Sequence, residues 1–384
     1  MSSNPPRLSA VNVVGHPEGG WLLGVIGKRT YRVDDQICRE AEEQVALVEA
    51  PALTSNADGL LHDSDLLLNR ASADIVVQGH AYAPGVTATF DATVRVGNFR
   101  RTLRVIGDRR CEYTVTGALR FTPPQRVEKV KLEWESAYGG TDRVAHEKYG
   151  DPFEELLVAS GGKADPRFGL YGYPRNPFGT GYLIEGTREG VAACVLPRLE
   201  DPMHLLAPET LPLGDLRRWP AGPPIASFGW LSYNFFPRSA QAGTPPIPYA
   251  DTVRPDDFFE VQTGCVRAES VAPDTPFIQR LDIGLAQASA CGMRVKEVAA
   301  NAALELIHLH PEQQTWKFVL PGKPPRMSLR LPDEAPVELV PTIRTVLLEP
   351  DKNRVCLVWV GEHRLSLPVG PGKMSKIQHA VVWR

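Results

Sequence analysis

The chain has 384 residues, with 42 Lys plus Arg against 45 Asp plus Glu and a formal charge of −3; lacking a basic excess or a Lys/Arg block, it carries no electrostatic footprint for nucleic acid. Its 33 glycines and 35 prolines exceed the roughly 12% usual for the two together and weigh against a helical bundle, because both are costly inside helices. No apolar run approaches the ~18 residues of a membrane span, and the start MSSNPPRLSA has no apolar core of a signal peptide, so a cytoplasmic protein is expected.

In chain order, a first strand is expected over 21–33 and a second over 74–78, ahead of His80. Residues 93–96 and 99–105 flank Gly97-Asn98, a pair suited to a tight hairpin turn. Leu103 and Val105 should face the core there, with Arg100, Thr102 and Arg104 facing out. Over 129–135, Val130, Leu132 and Trp134 alternate with Lys129, Lys131, Glu133 and Glu135, the pattern of a strand with one wet face. Asp151-Pro152-Phe153-Glu154 is a helix start and Gly161-Gly162 a stop, predicting a short helix over 152–160. The stretches 165–181 and 219–248 are rich in Gly and Pro and read as long loops. Residues 295–304 are helical by composition. A last hairpin joins 345–348 to 355–360 through Pro350-Asp351-Lys352-Asn353, and its second strand is apolar on both faces.

These elements predict a mainly β protein of two intimately packed β-rich lobes, sandwich- or barrel-like, with long Gly/Pro-rich loops and few short helices. The expected division is a tail over 1–14, a lobe over 15–145, a second lobe with a loop-rich insertion over 146–365, and a tail over 366–384.

Motifs for chemistry are sparse. The chain has no GxSxG, P-loop or GxGxxG, and no CxxC among Cys38, Cys111, Cys194, Cys265, Cys291 and Cys356, so neither a cofactor nor a structural metal is expected. The cysteines read as reduced, buried thiols. His308 and His310 would share one face of a strand, half of a metal site without a third ligand. His80 reads as a turn histidine before it reads as a base. Glu133, Glu135 and Asp142 offer paired carboxylates for a carbohydrate-binding or glycoside-processing protein, but Lys129 and Lys131 on the same face favour a solvated mixed-charge surface. Two glycine segments, WESAYGGTD (134–142) and NPFGTGY (176–182), permit close backbone approach. They serve either a partner or, with more weight, a tight internal corner.

Together with DIVVQGHAYAP (74–84), VRVG (94–97) and LRVIGDR (103–109), these two segments stand in an order that resembles a family of accessory proteins encoded in type VI secretion gene clusters. The resemblance covers about 15–360. It departs at Cys111, where an aromatic is expected, at Arg198, where Asn is expected, and within 243–259, where a Trp and a Leu-Pro are missing. It implies a non-enzymatic bacterial effector adaptor, with two partners: an effector carrying a PAAR-like domain and the VgrG spike protein. For such an adaptor the aromatic stretch 228–237, with Trp230, Tyr233, Phe235 and Phe236, is the expected partner surface. Tyr138, Gly139, Gly140, Asn176, Gly179 and Gly181 of the glycine loops are expected to join it. Burial of the same aromatics between the lobes is the equal alternative.

Overall fold

The computed structural model describes residues 5–16, 19–53, 60–68, 70, 72–159, 161, 165–233, 235, 236, 238, 287–290, 292–366 and 371–383. Ser160, Gly162, Pro237, Cys265, Cys291, residues 239–248 of the expected loop and the 243–259 segment lie outside the described residues. Among the described residues the protein is mainly β, with 42% strand against 13% helix.

One mixed sheet of 12 strands organises the chain and curls into a half-barrel. From one end the order is Leu199–Glu200, Phe99–Ile106, Thr89–Val96, Ala303–Ile307, Thr315–Val319 and Ile37–Glu40. It continues through Trp21–Asp34, Arg354–Leu365, Pro341–Glu349, Ala73–Val77 and Arg294–Val295, with Ser9–Gly15 paired to Trp21–Asp34. Ala73–Val77 runs parallel to Pro341–Glu349, and Val319 bridges Ile37 in parallel. The two expected lobes therefore share a sheet, since strands from both sides of residue 145 alternate across it. Segments expected as tails also pair: Ser9–Gly15 joins the sheet, and Gln378–Val382 pairs with Arg326–Arg330.

The centre of the sheet explains the doubly apolar strand. Arg354–Leu365 lies between Trp21–Asp34 and Pro341–Glu349, in register from Trp21 opposite Leu365 to Arg32 opposite Arg354. Leu23, Val25, Leu357 and Trp359 enter the main core, while Leu22, Ile26, Val358 and Val360 pack on the other face with Ala10, Leu47 and Leu68. Successive side chains point to opposite faces, and both faces are covered, so every position from Val355 to Val360 is buried.

Both hairpins form as expected. Thr89–Val96 and Phe99–Ile106 turn at Gly97, with Leu103 and Val105 fully buried and Arg100 exposed. Pro341–Glu349 and Arg354–Leu365 turn through a 3-10 segment, Pro350–Lys352, closed by Asn353 with φ 51°. Three short helices follow the sheet's first half: α1 (Arg143–Tyr149), α2 (Pro152–Ala159) and α3 (Arg188–Ala193).

Three expectations are corrected. The strand over 129–135 stops early: Val127–Lys131 is a strand and Trp134–Ser136 a 3-10 turn, although Val130, Leu132 and Trp134 are buried as predicted. Residues 295–304 are not helical; Arg294–Val295 pairs with Ala73–Asp74 and Ala303–Ile307 with the Thr89–Val96 strand, so tertiary pairing overrides composition. The histidine pair does not share a strand face, because the strand ends at Ile307 and His308 turns at φ 56°. His308 Nδ1 lies 2.8 Å from the Asp91 carbonyl oxygen, and His310 Nδ1 accepts the backbone N–H groups of Glu312 and Gln313.

Candidate functional site

The two glycine segments meet. Tyr138–Gly139 runs parallel to Thr180–Gly181, with Gly139 opposite Gly181. Gly140 N donates to Asn176 O at 2.8 Å, Thr180 N to Ala137 O at 3.0 Å and Tyr182 N to Gly139 O at 2.9 Å. The Asn176 side chain is fully buried, and its Nδ2 donates to the carbonyl oxygens of Trp134 (2.9 Å) and Tyr138 (3.0 Å). One amide thus clamps both ends of the 134–138 turn. Gly139 has φ 145°, and a Cβ there would strike the Asn176 carbonyl oxygen. A Cβ on Gly140 would strike the carbonyl oxygen of Gly179.

Asp142 ties the unit to its surroundings. Its Oδ1 accepts Ala145 N at 3.0 Å, capping α1, and its Oδ2 accepts Ile184 N and Glu185 N, both at 2.7 Å. Three backbone N–H groups therefore converge on one buried carboxylate. Glu133 instead forms an ion pair with Lys131, and Glu135 is exposed on the 3-10 turn. The three carboxylates occupy three different environments.

Aromatic rings pack around the glycine unit. Trp134 meets Phe235 edge-on at 5.0 Å between centroids, and Phe178 lies 5.4 Å from the same ring. Tyr173 lies 4.9 Å from Tyr138 and 5.1 Å from Tyr182. Trp134 Nε1 donates to Trp230 O at 2.8 Å. Buried Arg175 lies over the Trp219 ring and donates to Tyr173 Oη and Pro220 O, each at 3.0 Å. Burial and the neighbouring Tyr173 hold the Tyr138 phenol well above its usual pKa.

This placement follows the burial alternative for the residues expected at a partner surface. Trp230, Phe235 and Phe236 are at most 2% exposed, as is Tyr138, and Gly139, Gly140, Asn176 and Gly181 are buried with them; Gly179 is half-buried. The loop's rings are spent on the interior, because a segment with little regular hydrogen bonding is held chiefly by burying large side chains. Of the four rings expected in 228–237, Trp230, Tyr233, Phe235 and Phe236, Tyr233 is the half-buried one; its hydroxyl donates to Asp63 Oδ1 at 2.7 Å, and the Arg238 guanidinium lies 3.9 Å above its ring.

Sequence reasoning missed the charged interior beside this loop. Lys28 pairs with Asp65 at 2.8 Å, Arg70 with Asp74 at 2.9 Å and Arg238 with Asp63 at 2.5 Å, all buried. Asp74 further accepts Ser289 N and Ser289 Oγ. The lone lysine in the apolar Trp21–Asp34 strand was an available signal, since a buried ammonium demands a partner.

On the surface, His80 Nδ1 lies 2.7 Å from Asp351 Oδ2, and Tyr82 Oη donates to Asp351 Oδ1 at 3.0 Å. Burial and that hydrogen bond push the Tyr82 phenol up to about 12, so it stays protonated. His80 is thus a strand residue bonded to a carboxylate, not a turn histidine. Along the same ribbon, Ala83, Gly85, Val86, Arg126, Val127 and Glu128 line a shallow groove of about 540 Å³. Among the described residues, no group of three or more His, Cys, Asp or Glu is placed to hold a metal ion, and no helix is long and apolar enough to cross a membrane.

The chain belongs to a bacterial protein family described as "uncharacterized protein conserved in bacteria (DUF2169)", whose profile matches residues 18–360. No curated protein and no solved structure matches it.

Proposed function

We propose that the protein is a non-enzymatic adaptor-chaperone of the bacterial cytoplasm, which binds a type VI secretion effector carrying a PAAR-like domain and helps load it onto the VgrG spike. The ordered resemblance of the five motifs supports this reading. The structural observation that favours it over a catalytic one is how those motifs are used. DIVVQGHAYAP, VRVG and LRVIGDR supply sheet strands and a ribbon, and the two glycine segments lock into each other. The residues that distinguish the chain thus maintain a scaffold, and Asp142, the most buried carboxylate of the carbohydrate alternative, is bonded by three backbone donors.

In this role the adaptor covers an apolar face of the effector that the spike later buries. The sequence holds no nucleotide motif to drive release, so exchange is passive and set by relative affinities. That demands an interface of moderate strength, whose dissociation keeps pace with loading.

The test is co-purification with the products of neighbouring genes, together with deletion of this protein. The expected result is capture of a PAAR-like effector and VgrG, and loss of effector solubility or secretion on deletion. Failure of both proteins to associate, with secretion intact after deletion, overturns the proposal.

A further inference from the structure

Cys111 and Cys194 lie 83 residues apart in the chain, yet their Sγ atoms are 3.6 Å apart. Cys111 opens the strand Cys111–Tyr113, which pairs with Leu119–Phe121. Cys194 is the C-cap of α3. Their backbones are neighbours as well: Cys111 N donates to Cys194 O at 3.5 Å, and Arg110 bridges Val195 in antiparallel fashion. A disulfide needs the sulfurs at about 2.05 Å, so about 1.5 Å of approach completes the bond. Side-chain rotation supplies a movement of that size without parting the paired backbones.

We propose that Cys111 and Cys194 form an oxidisable dithiol that a peroxide closes to a disulfide, tying α3 to the Cys111–Phe121 hairpin. Both side chains are buried, at 4% and 8% exposure, which favours a small oxidant such as hydrogen peroxide over a peptide disulfide. The Cys111 thiolate attacks a peroxide oxygen, the O–O bond breaks, and hydroxide leaves with a proton as water. Cys111 is then a sulfenic acid. The Cys194 thiol gives up its proton, its sulfur attacks Cys111 Sγ, the S–O bond breaks, and a second water leaves. Two thiols and one hydrogen peroxide thus yield one disulfide and two waters.

The order of attack is assigned from the 3.6 Å contact of the sulfurs and the cation beside one of them, Arg109. The hydrogen bond with Cys194 is the largest influence on Cys111 and lowers its thiol pKa; burial opposes this and Arg109 aids it. The same contact, reinforced by burial, pushes the Cys194 thiol up. With the Arg109 cation two residues before it in the chain, Cys111 is the attacking sulfur and Cys194, 3.6 Å away, the resolving one.

The test exposes the full chain to hydrogen peroxide, blocks remaining thiols with an alkylating agent under denaturing conditions, and maps the peptides by mass spectrometry. The expected product is a Cys111–Cys194 linked peptide pair, two hydrogens lighter than the reduced peptides and released by dithiothreitol. The oxidised protein should melt several degrees higher, because the closed loop restricts the unfolded chain. In Cys194→Ser, Cys111 should stop at the sulfenic acid and take up dimedone. Alkylation of both cysteines after peroxide, or a link from either to a different cysteine, overturns the proposal on the wild-type protein alone. A folded Cys194→Ser protein without a dimedone adduct overturns the assignment of Cys111 as the attacking sulfur.

Discussion

Gly139 faces Gly181 across a parallel ladder only two residues long, and both have positive φ, 145° and 98°. Neither glycine leaves room for a side chain: a Cβ on Gly181 would lie 2.9 Å from Pro197 Cδ. Gly139→Ala should therefore destabilise the protein by about 2 kcal/mol or more, from strain alone before the clash is counted. Gly85→Ala, where a Cβ would meet nothing within 4 Å, should stay within about 0.5 kcal/mol of wild type. Urea denaturation of both variants checks the contrast.

Asp142→Ala leaves two buried N–H groups and one half-buried one unbonded and uncaps α1, and the expected loss is about 3 kcal/mol or more. Glu135→Gln, at an exposed site, should leave the melting temperature unchanged. Hydrolysis of any glycan that Glu135→Gln abolishes would contradict the adaptor reading directly.

Trp230→Ala should cost about 3–5 kcal/mol, as expected for emptying a buried indole site. Tyr233→Phe removes one bond to Asp63 and should cost about 1–2 kcal/mol. Calorimetry measures both. A Trp230→Ala protein that melts like wild type but no longer captures a client would return this ring to the binding surface.

Lys28→Met strands the buried Asp65 carboxylate and should destabilise by about 3–5 kcal/mol. Lys28→Met/Asp65→Leu should be more stable than Lys28→Met alone. Recovery stays partial, because Asp65 Oδ2 also accepts Val48 N at 2.8 Å. Chemical denaturation of the single and double variants decides whether the buried charge or lost packing dominates.

His62 predicts a pH dependence. Its Nδ1 lies 2.6 Å from the Asp63 carbonyl oxygen and its Nε2 3.4 Å from Lys28 Nζ, so the ring is held neutral, with the proton on Nδ1 and Nε2 facing an ammonium. Burial is the largest influence and lowers the pKa from 6.5; the Asp65 charge opposes it and Lys28 reinforces it. Below about pH 6.5 the unfolded chain binds a proton that the folded ring refuses, so stability falls as pH drops through that value. His62→Gln should flatten the fall between pH 7 and 5. Equal slopes for the two proteins would remove His62 as its source.

Local patterns reported local structure well. The Gly97-Asn98 turn, the Asp151 helix start and the burial of Val130, Leu132 and Trp134 all follow from spacing within a few residues. What spacing does not carry is where distant segments meet. Val130 and Trp134 are both buried, but the backbone between them leaves the strand, and Trp134 Nε1 reaches Trp230 O, 96 residues onward. The glycine segments were legible as places of close approach, not as each other's partners. The aromatics of the 219–236 loop needed burial or a partner, and composition gives both outcomes the same signature. The ion pairs were least legible, since Asp63 and Arg238 lie 175 residues apart.

The pairing at the sheet's centre sets a schedule for synthesis. Thr30 Oγ1 and Cys356 Sγ lie 3.7 Å apart across adjacent central strands, with 326 residues between them in the chain. At ~5–20 residues per second a ribosome needs roughly 15–65 s to cover that interval. Throughout it, one long edge of the Trp21–Asp34 strand waits for its mate with its backbone donors and apolar faces uncovered, a state open to mispairing with other nascent chains. A chain that ends before Arg354 lacks this strand and never closes its middle.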